Sequence, residues 1–127
     1  MMAKHVAVEG LTLTAQGIVT LGNGTLKIVS APSAKMSAEG KGVYKAPLQF
    51  TLIGADATGF DPGSVATDGP ASINASVETF SVEGALVIRV DDNNPTVKMT
   101  GTKNGTPAQF IEPWKITSAG QSKVLAD

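Results

Sequence analysis

An all-β fold of short strands with no significant helix is predicted by three observations. Fourteen Gly and seven Pro in 127 residues interrupt every stretch long enough for a stable helix. Apolar residues alternate with polar ones at period two rather than recurring at i, i+3, i+4 and i+7. A short unit, two alternations about a Glu-Gly corner, recurs in unchanged register.

Taken in order, Val6-Ala7-Val8-Glu9-Gly10-Leu11-Thr12-Leu13-Thr14 reads as two short strands about a Glu-Gly corner, a degenerate copy of the unit. Ile18–Leu21 and Leu26–Val29 flank Asn23-Gly24, a dipeptide that tolerates positive φ at both central turn positions and so predicts a hairpin. The first full copy is Ala34–Lys45, with its corner at Glu39-Gly40 and Lys41 following. Leu48–Ile53 is a clear strand. Residues 54–70 mix Gly, Pro and Asp and read as a long connection.

The second copy, Glu78–Arg89, turns at Glu83-Gly84. A shift of 83 − 39 = 44 positions places Ser37 on Ser81, Val43 on Val87 and Lys45 on Arg89. Upstream, Val29-Ser30-Ala31 lands on Ile73-Asn74-Ala75. Asp91-Asp92-Asn93-Asn94-Pro95 reads as a solvated turn. Thr96–Thr100 alternates again, Asn104-Gly105 predicts another hairpin, and strands Gln109–Glu112 and Trp114–Thr117 bracket Pro113. The chain is therefore expected to be one domain, 1–127, with two repeat-like units at about 24–53 and 69–100 joined by the connection 54–70. Short strands at regular intervals suit a sandwich, a barrel or a β stack, and the recurring corner favours stacked coils.

Composition narrows the function classes. Hydrophobic residues make up 42% and aromatics only 5%, so the core must rest on Val, Ile, Leu and Ala. A net charge of −1 offers no electrostatic footprint for nucleic acid or an anionic membrane. With no cysteine there is no disulfide framework and no thiolate metal site. Met1–His5 lacks the apolar core of a secretory signal and no run approaches membrane-spanning length, so synthesis in the cytoplasm is expected.

Candidate chemistry is sparse. His5 is the lone imidazole, with no ligand set around it in sequence, and reads as an ordinary N-terminal residue. Asp91–Asn94 is oxygen-rich but lacks the spacing of a calcium loop. Glu9, Glu39 and Glu83 precede glycines at equivalent corners, which points to use by the fold rather than to acid–base pairing. No Gly-x-Ser-x-Gly elbow occurs, and Gly22-Asn23-Gly24 has no helix behind it to hold a phosphate. Trp114, with Phe110 and Pro113, is read as core, with an exposed partner anchor as the alternative. No catalytic, metal or cofactor site is expected, and the chain is not read as an enzyme.

The second copy also resembles a known family. PAAR-repeat proteins and their PAAR-like relatives carry short β units in which Gly, Arg and Asp recur at set spacing, and Gly84, Arg89 and Asp92 match them here. The first copy offers Gly40-Lys41 and then Lys45 where the Arg falls. The tail Gly120–Asp127 looks like the opening of a further unit that stops before its glycine. Leu86-Val87-Ile88-Arg89 stands where the literal Pro-Ala-Ala-Arg would be.

The resemblance implies a β cone and a structural tip or cap protein. Such a protein docks on the trimeric β-helical central spike of a contractile injection machine, a phage tail baseplate or a type VI secretion apparatus, and sharpens or closes it. It implies assembly into a virion or injection particle, an effector as a further passenger, no nucleic acid, and no membrane insertion by the chain itself. Repeat-motif structural roles then fall on Glu39, Gly40, Lys41, Glu83, Gly84, Arg89 and Asp92. Many family members hold a metal near the apex through His and Cys; with one His and no Cys, none is expected here. The alternative is a homo-oligomeric β protein that decorates a capsid or tail tube without a spike partner.

Overall fold

Residues 4–77 and 80–126 are described by a computed structural model; Glu78 and Thr79, within the expected second copy, lie outside the described residues. The described chain is all-β, with curled antiparallel sheets. Its first strands are β1 (Lys4–His5), β2 (Thr12–Ala15), β3 (Val19–Thr20), β4 (Thr25–Ile28), β5 (Ser37–Ala38), β6 (Lys41–Gly42) and β7 (Leu48–Ile53). Then come β8 (Asp56–Ala57), β9 (Ala66–Thr67), β10 (Ala71–Ile73), β11 (Ser81–Val82) and β12 (Ala85–Leu86). Two long strands, β13 (Asn93–Lys103) and β14 (Thr106–Ser118), precede β15 (Leu125–Ala126).

Two larger sheets form the body. One has the order β2-β14-β13-β9 and the other β10-β7-β4. β7 shows why the sequence pattern works: Leu48, Phe50 and Leu52 are fully buried while Gln49 and Ile53 face outward. They pack in one cluster with Leu13, Val97, Met99, Trp114 and Ile116 from the four-stranded sheet. The Phe50 and Trp114 rings lie 5.1 Å apart, tilted by 52°. Trp114 is thus core, and its alternative as an exposed anchor is overturned.

β13 and β14 form one long hairpin around Asn104-Gly105, whose φ values of 51° and 81° are those of a two-residue type I′ turn. Pro113 does not divide two strands as expected. The ladder shifts register between Asn94 and Val97, so Pro113 meets an irregularity where no donor is required of it.

Three further expectations are corrected. Asn23-Gly24 does not join β3 to β4; those strands pair with β8 and β7 respectively. The turn is closed by Gly24 N–H to Leu21 O at 2.7 Å, with positive φ at Gly22. Gly24 serves close approach instead, since a Cβ there would stand 2.8 Å from Ile53 O. Asp91–Pro95 is a solvated turn only at its start: Asp91 turns in the open at φ 71°, but Asp92 is buried and Asn93 already begins β13.

The stretch 54–70 is also more than a connection. It contributes β8 and β9 and folds over the end of the long hairpin. There the Asp61 carboxylate accepts from Thr102 Oγ1 at 2.7 Å and from the Asn104 and Gly105 N–H groups at 2.9 Å each. The Gly105 N–H, then the Thr102 hydroxyl and the Asn104 N–H, hold the Asp61 carboxyl below the ordinary aspartate range.

Candidate functional site

The repeated unit builds a three-way closure beside the body. Its centre is a ring of three backbone hydrogen bonds. Ala7 N donates to Ile88 O at 2.7 Å, Ile88 N to Tyr44 O at 3.0 Å, and Tyr44 N to Ala7 O at 3.0 Å. Each segment therefore gives one bond and receives one, as three strands related by a pseudo-threefold axis must. Antiparallel bridges repeat the relation: Val8 with Val43, Lys45 with Val87, and Arg89 with Val6.

A second set of three bonds lies two residues further along each segment. Glu9 N reaches Gly42 O at 3.1 Å, Ala46 N reaches Leu86 O at 2.7 Å, and Val90 N reaches His5 O at 2.9 Å. A third set closes each outer pair: Val43 N to Met36 O, Val87 N to Phe80 O and Val6 N to Val124 O, at 3.0, 3.1 and 3.0 Å. Every strand edge within the ring is thus taken up by another segment of the same chain.

The outer pairs are β5 with β6, β11 with β12, and β15 with β1. The first two turn at Glu39-Gly40 (φ 53° and 79°) and Glu83-Gly84 (φ 52° and 80°). Both residues of each corner are left-handed, the type I′ geometry that matches strand twist. Gly is used where φ is most positive, while Glu tolerates the milder value and keeps its side chain for other contacts. The third pair joins opposite ends of the sequence, Lys4 facing Ala126 and His5 facing Leu125.

Glu9-Gly10 is a corner of another kind. Only Gly10 has positive φ, and the turn closes from Leu11 N to Val8 O at 3.0 Å, sending the chain into β2. The degenerate copy expected at Val6–Thr14 is therefore completed by the tail and not by Leu11–Thr14. The described segments that repeat geometrically, about 33–46, 80–90 and 121–126 with 4–9, are shorter than the expected units.

Alternation divides the side chains between two cores. Ala7, Tyr44 and Ile88 face the body and join its cluster. Val6, Val43 and Val87 face the other way, into a small cluster with Ala38, Val77 and Ala126, flanked by Met36, Phe80 and Val124. The last three hold equivalent places and are only partly buried.

Polar side chains lock this assembly. Ser33 Oγ accepts the N–H groups of Lys35 and Met36 at 3.0 and 3.3 Å, and Gln121 Oε1 accepts those of Lys123 and Val124 at 2.7 and 2.8 Å. Glu83 bonds to the Ser33 hydroxyl and pairs with Lys45 at 3.5 Å. The Ser33 hydroxyl foremost, and then the Lys45 charge, hold the Glu83 carboxyl below its ordinary value. Glu39 accepts from Ser122 at 3.3 Å, and Lys41 Nζ donates to Gly120 O at 3.1 Å.

Arg89 is buried and donates to Ala126 O at 2.9 Å and to Ser76 Oγ at 2.8 Å. Ser76 in turn bonds to the Asp92 carboxylate, which also accepts the Arg89 N–H at 2.8 Å. Arg89 and Asp92 are therefore joined through Ser76, and together they tie β15 to the chain that enters β13. Lys45, at the place equivalent to Arg89, stays half-exposed.

All seven residues singled out from the sequence lie in this closure or on its border. Sequence reasoning missed Ser33, Ser76, Gln121 and Glu112. Glu112 is buried and accepts the N–H groups of Gly17, Ile18 and Val19 at 2.8, 3.1 and 3.1 Å. Its signal was present: an acid on the same parity as Phe110, Trp114 and Ile116 must face inward. Among the described residues, no three His, Cys, Asp or Glu side chains group as a metal site, and His5 lies in the β1–β15 pair. No family model, curated protein or solved structure matches the chain.

Proposed function

We propose that this chain is a PAAR-like structural tip that docks on the trimeric central spike of a contractile injection machine and sharpens or closes it. The single observation that carries the reading is the three-way ring of hydrogen bonds among Ala7, Tyr44 and Ile88. A lone chain that presents three equivalent strand segments can meet a threefold partner without mismatch. The body side of the ring is covered by the chain's own core, so the spike meets the opposite side. There Met36, Phe80 and Val124 offer partly buried apolar side chains in a set of three.

The role is mechanical and non-catalytic: a ring whose inner segments are paired on both sides resists splaying under load, and docking covers the apolar rim. Assembly into a phage virion or related particle follows from this role, with an effector as a further passenger. The test is size-exclusion chromatography of the chain with a trimeric β-helical spike protein from the same source. Co-migration that is lost in a folded Met36→Asp/Phe80→Asp variant is the expected result. Failure of the unaltered chain to co-migrate, together with a stable homo-oligomer in solution, would replace this reading with that of a decoration protein.

A further inference from the structure

The main sheet keeps one open edge, and its residues are placed in a particular way. β14 is paired with β13 along its length but with β2 only from Trp114 to Ser118. The other side of Thr106–Glu112 therefore has no strand beside it among the described residues. β2 cannot extend over it, because beyond Gln16 the N–H groups of Gly17, Ile18 and Val19 turn to the Glu112 carboxylate.

Which backbone groups face this edge follows from the far side of the hairpin. Thr102 N donates to Ser64 Oγ, Thr102 O accepts from Asp61 N, and Lys98 O accepts from Asp68 N. Thr102 and Lys98 thus point away from β14. Their partners Pro107 and Ile111, and Gln109 between them, then point away from β13, toward the open edge. Pro113 shares this direction, since its carbonyl accepts from Gln16 N.

Of the four outward positions 107, 109, 111 and 113, two are proline and carry no N–H. We infer that Pro107 keeps the open edge of β14 from pairing with the strand of another chain, the other end of that edge being closed by Gln16 over Pro113. The exposed Ile111 makes such pairing a hazard, and a proline at one end with Gln16 at the other leaves a window too short to template a strand. A second copy is the relevant partner to exclude. In an antiparallel pairing centred on Phe110, Gln109 meets Ile111 of the other copy.

The test is sedimentation velocity on the Pro107→Thr variant, with circular dichroism to confirm the fold. Self-association at tenfold lower concentration than for the unaltered chain, reversed by adding Gln109→Pro, is expected. A folded variant that associates no more than the parent overturns the inference. So does association that Gln109→Pro leaves unchanged, or an unaltered chain that already pairs through Gln109–Ile111. Pro107→Val decides the matter in the same way if Pro107→Thr does not fold.

Discussion

The three-way closure and the two-sheet body solve the same problem by different means. The closure has small side chains, chiefly Val and Ala, and repeats each backbone hydrogen bond three times, so that its three inner segments are paired on both sides. The body buries Leu48, Phe50, Leu52, Met99 and Trp114 between two sheets and deals with its edges one at a time. One region relies on backbone closure and the other on side-chain burial.

The largest effect that would break this contrast lies in the cores. Phe50→Ala should cost about 3–5 kcal/mol by denaturant unfolding, through lost burial and the cavity left beside Trp114. Val87→Ala, in the small cluster, should cost about 1.5–2 kcal/mol, from two fewer buried carbon groups. Equal costs would show that the closure depends on burial as much as the body does.

Next in size is Gly17→Ala. Its added Cβ would collide with Glu112 Oε1, so the carboxylate must move and three N–H groups lose their acceptor. A loss of about 2–3 kcal/mol is expected, with increased hydrogen exchange at Ile18 and Val19.

The corners sharpen the comparison because both regions use the same one. Gly40, Gly84 and Gly105 have φ of 79°, 80° and 81°, and a Cβ at any of them meets nothing within 4 Å. Alanine at each should therefore cost only the backbone strain, about 1–2 kcal/mol, and nearly the same at all three. A much larger cost at Gly40 or Gly84 than at Gly105 would mean that the closure amplifies local strain.

The smallest effects are acidic. Asp61 in the body and Glu83 in the closure both have folded pKa values below the ordinary carboxylate range. Their contribution is fully present above the unfolded pKa, about 4, and is lost as pH falls through the folded value. Asp61→Asn or Glu83→Gln should each lower the melting temperature at pH 7, where the contribution is fully present, and change it least in acid, so that the decline below about pH 4 is flatter than in the unaltered chain.

Local signals were legible and distant pairings were not. The period-two run Leu48–Ile53, the left-handed pairs Glu39-Gly40 and Glu83-Gly84, and the Asn104-Gly105 hairpin are decided by neighbours in sequence. Asn23-Gly24 has the same local chemistry, yet its glycine is needed where the chain passes Ile53 and Ala55, a contact with no trace in the dipeptide. Asp91–Pro95 looked solvated because Asp92's partners, Ser76 and the Arg89 N–H, give no pattern. The pairing of Lys4–His5 with Leu125–Ala126 spans the whole sequence, so the tail read as an unfinished unit when it completes one begun at the other end.

The central claim is that one chain supplies all three segments that meet a threefold partner. Native mass spectrometry of the complex with the spike tests it most directly. One copy of this chain per spike trimer is predicted; three copies per trimer would contradict the account.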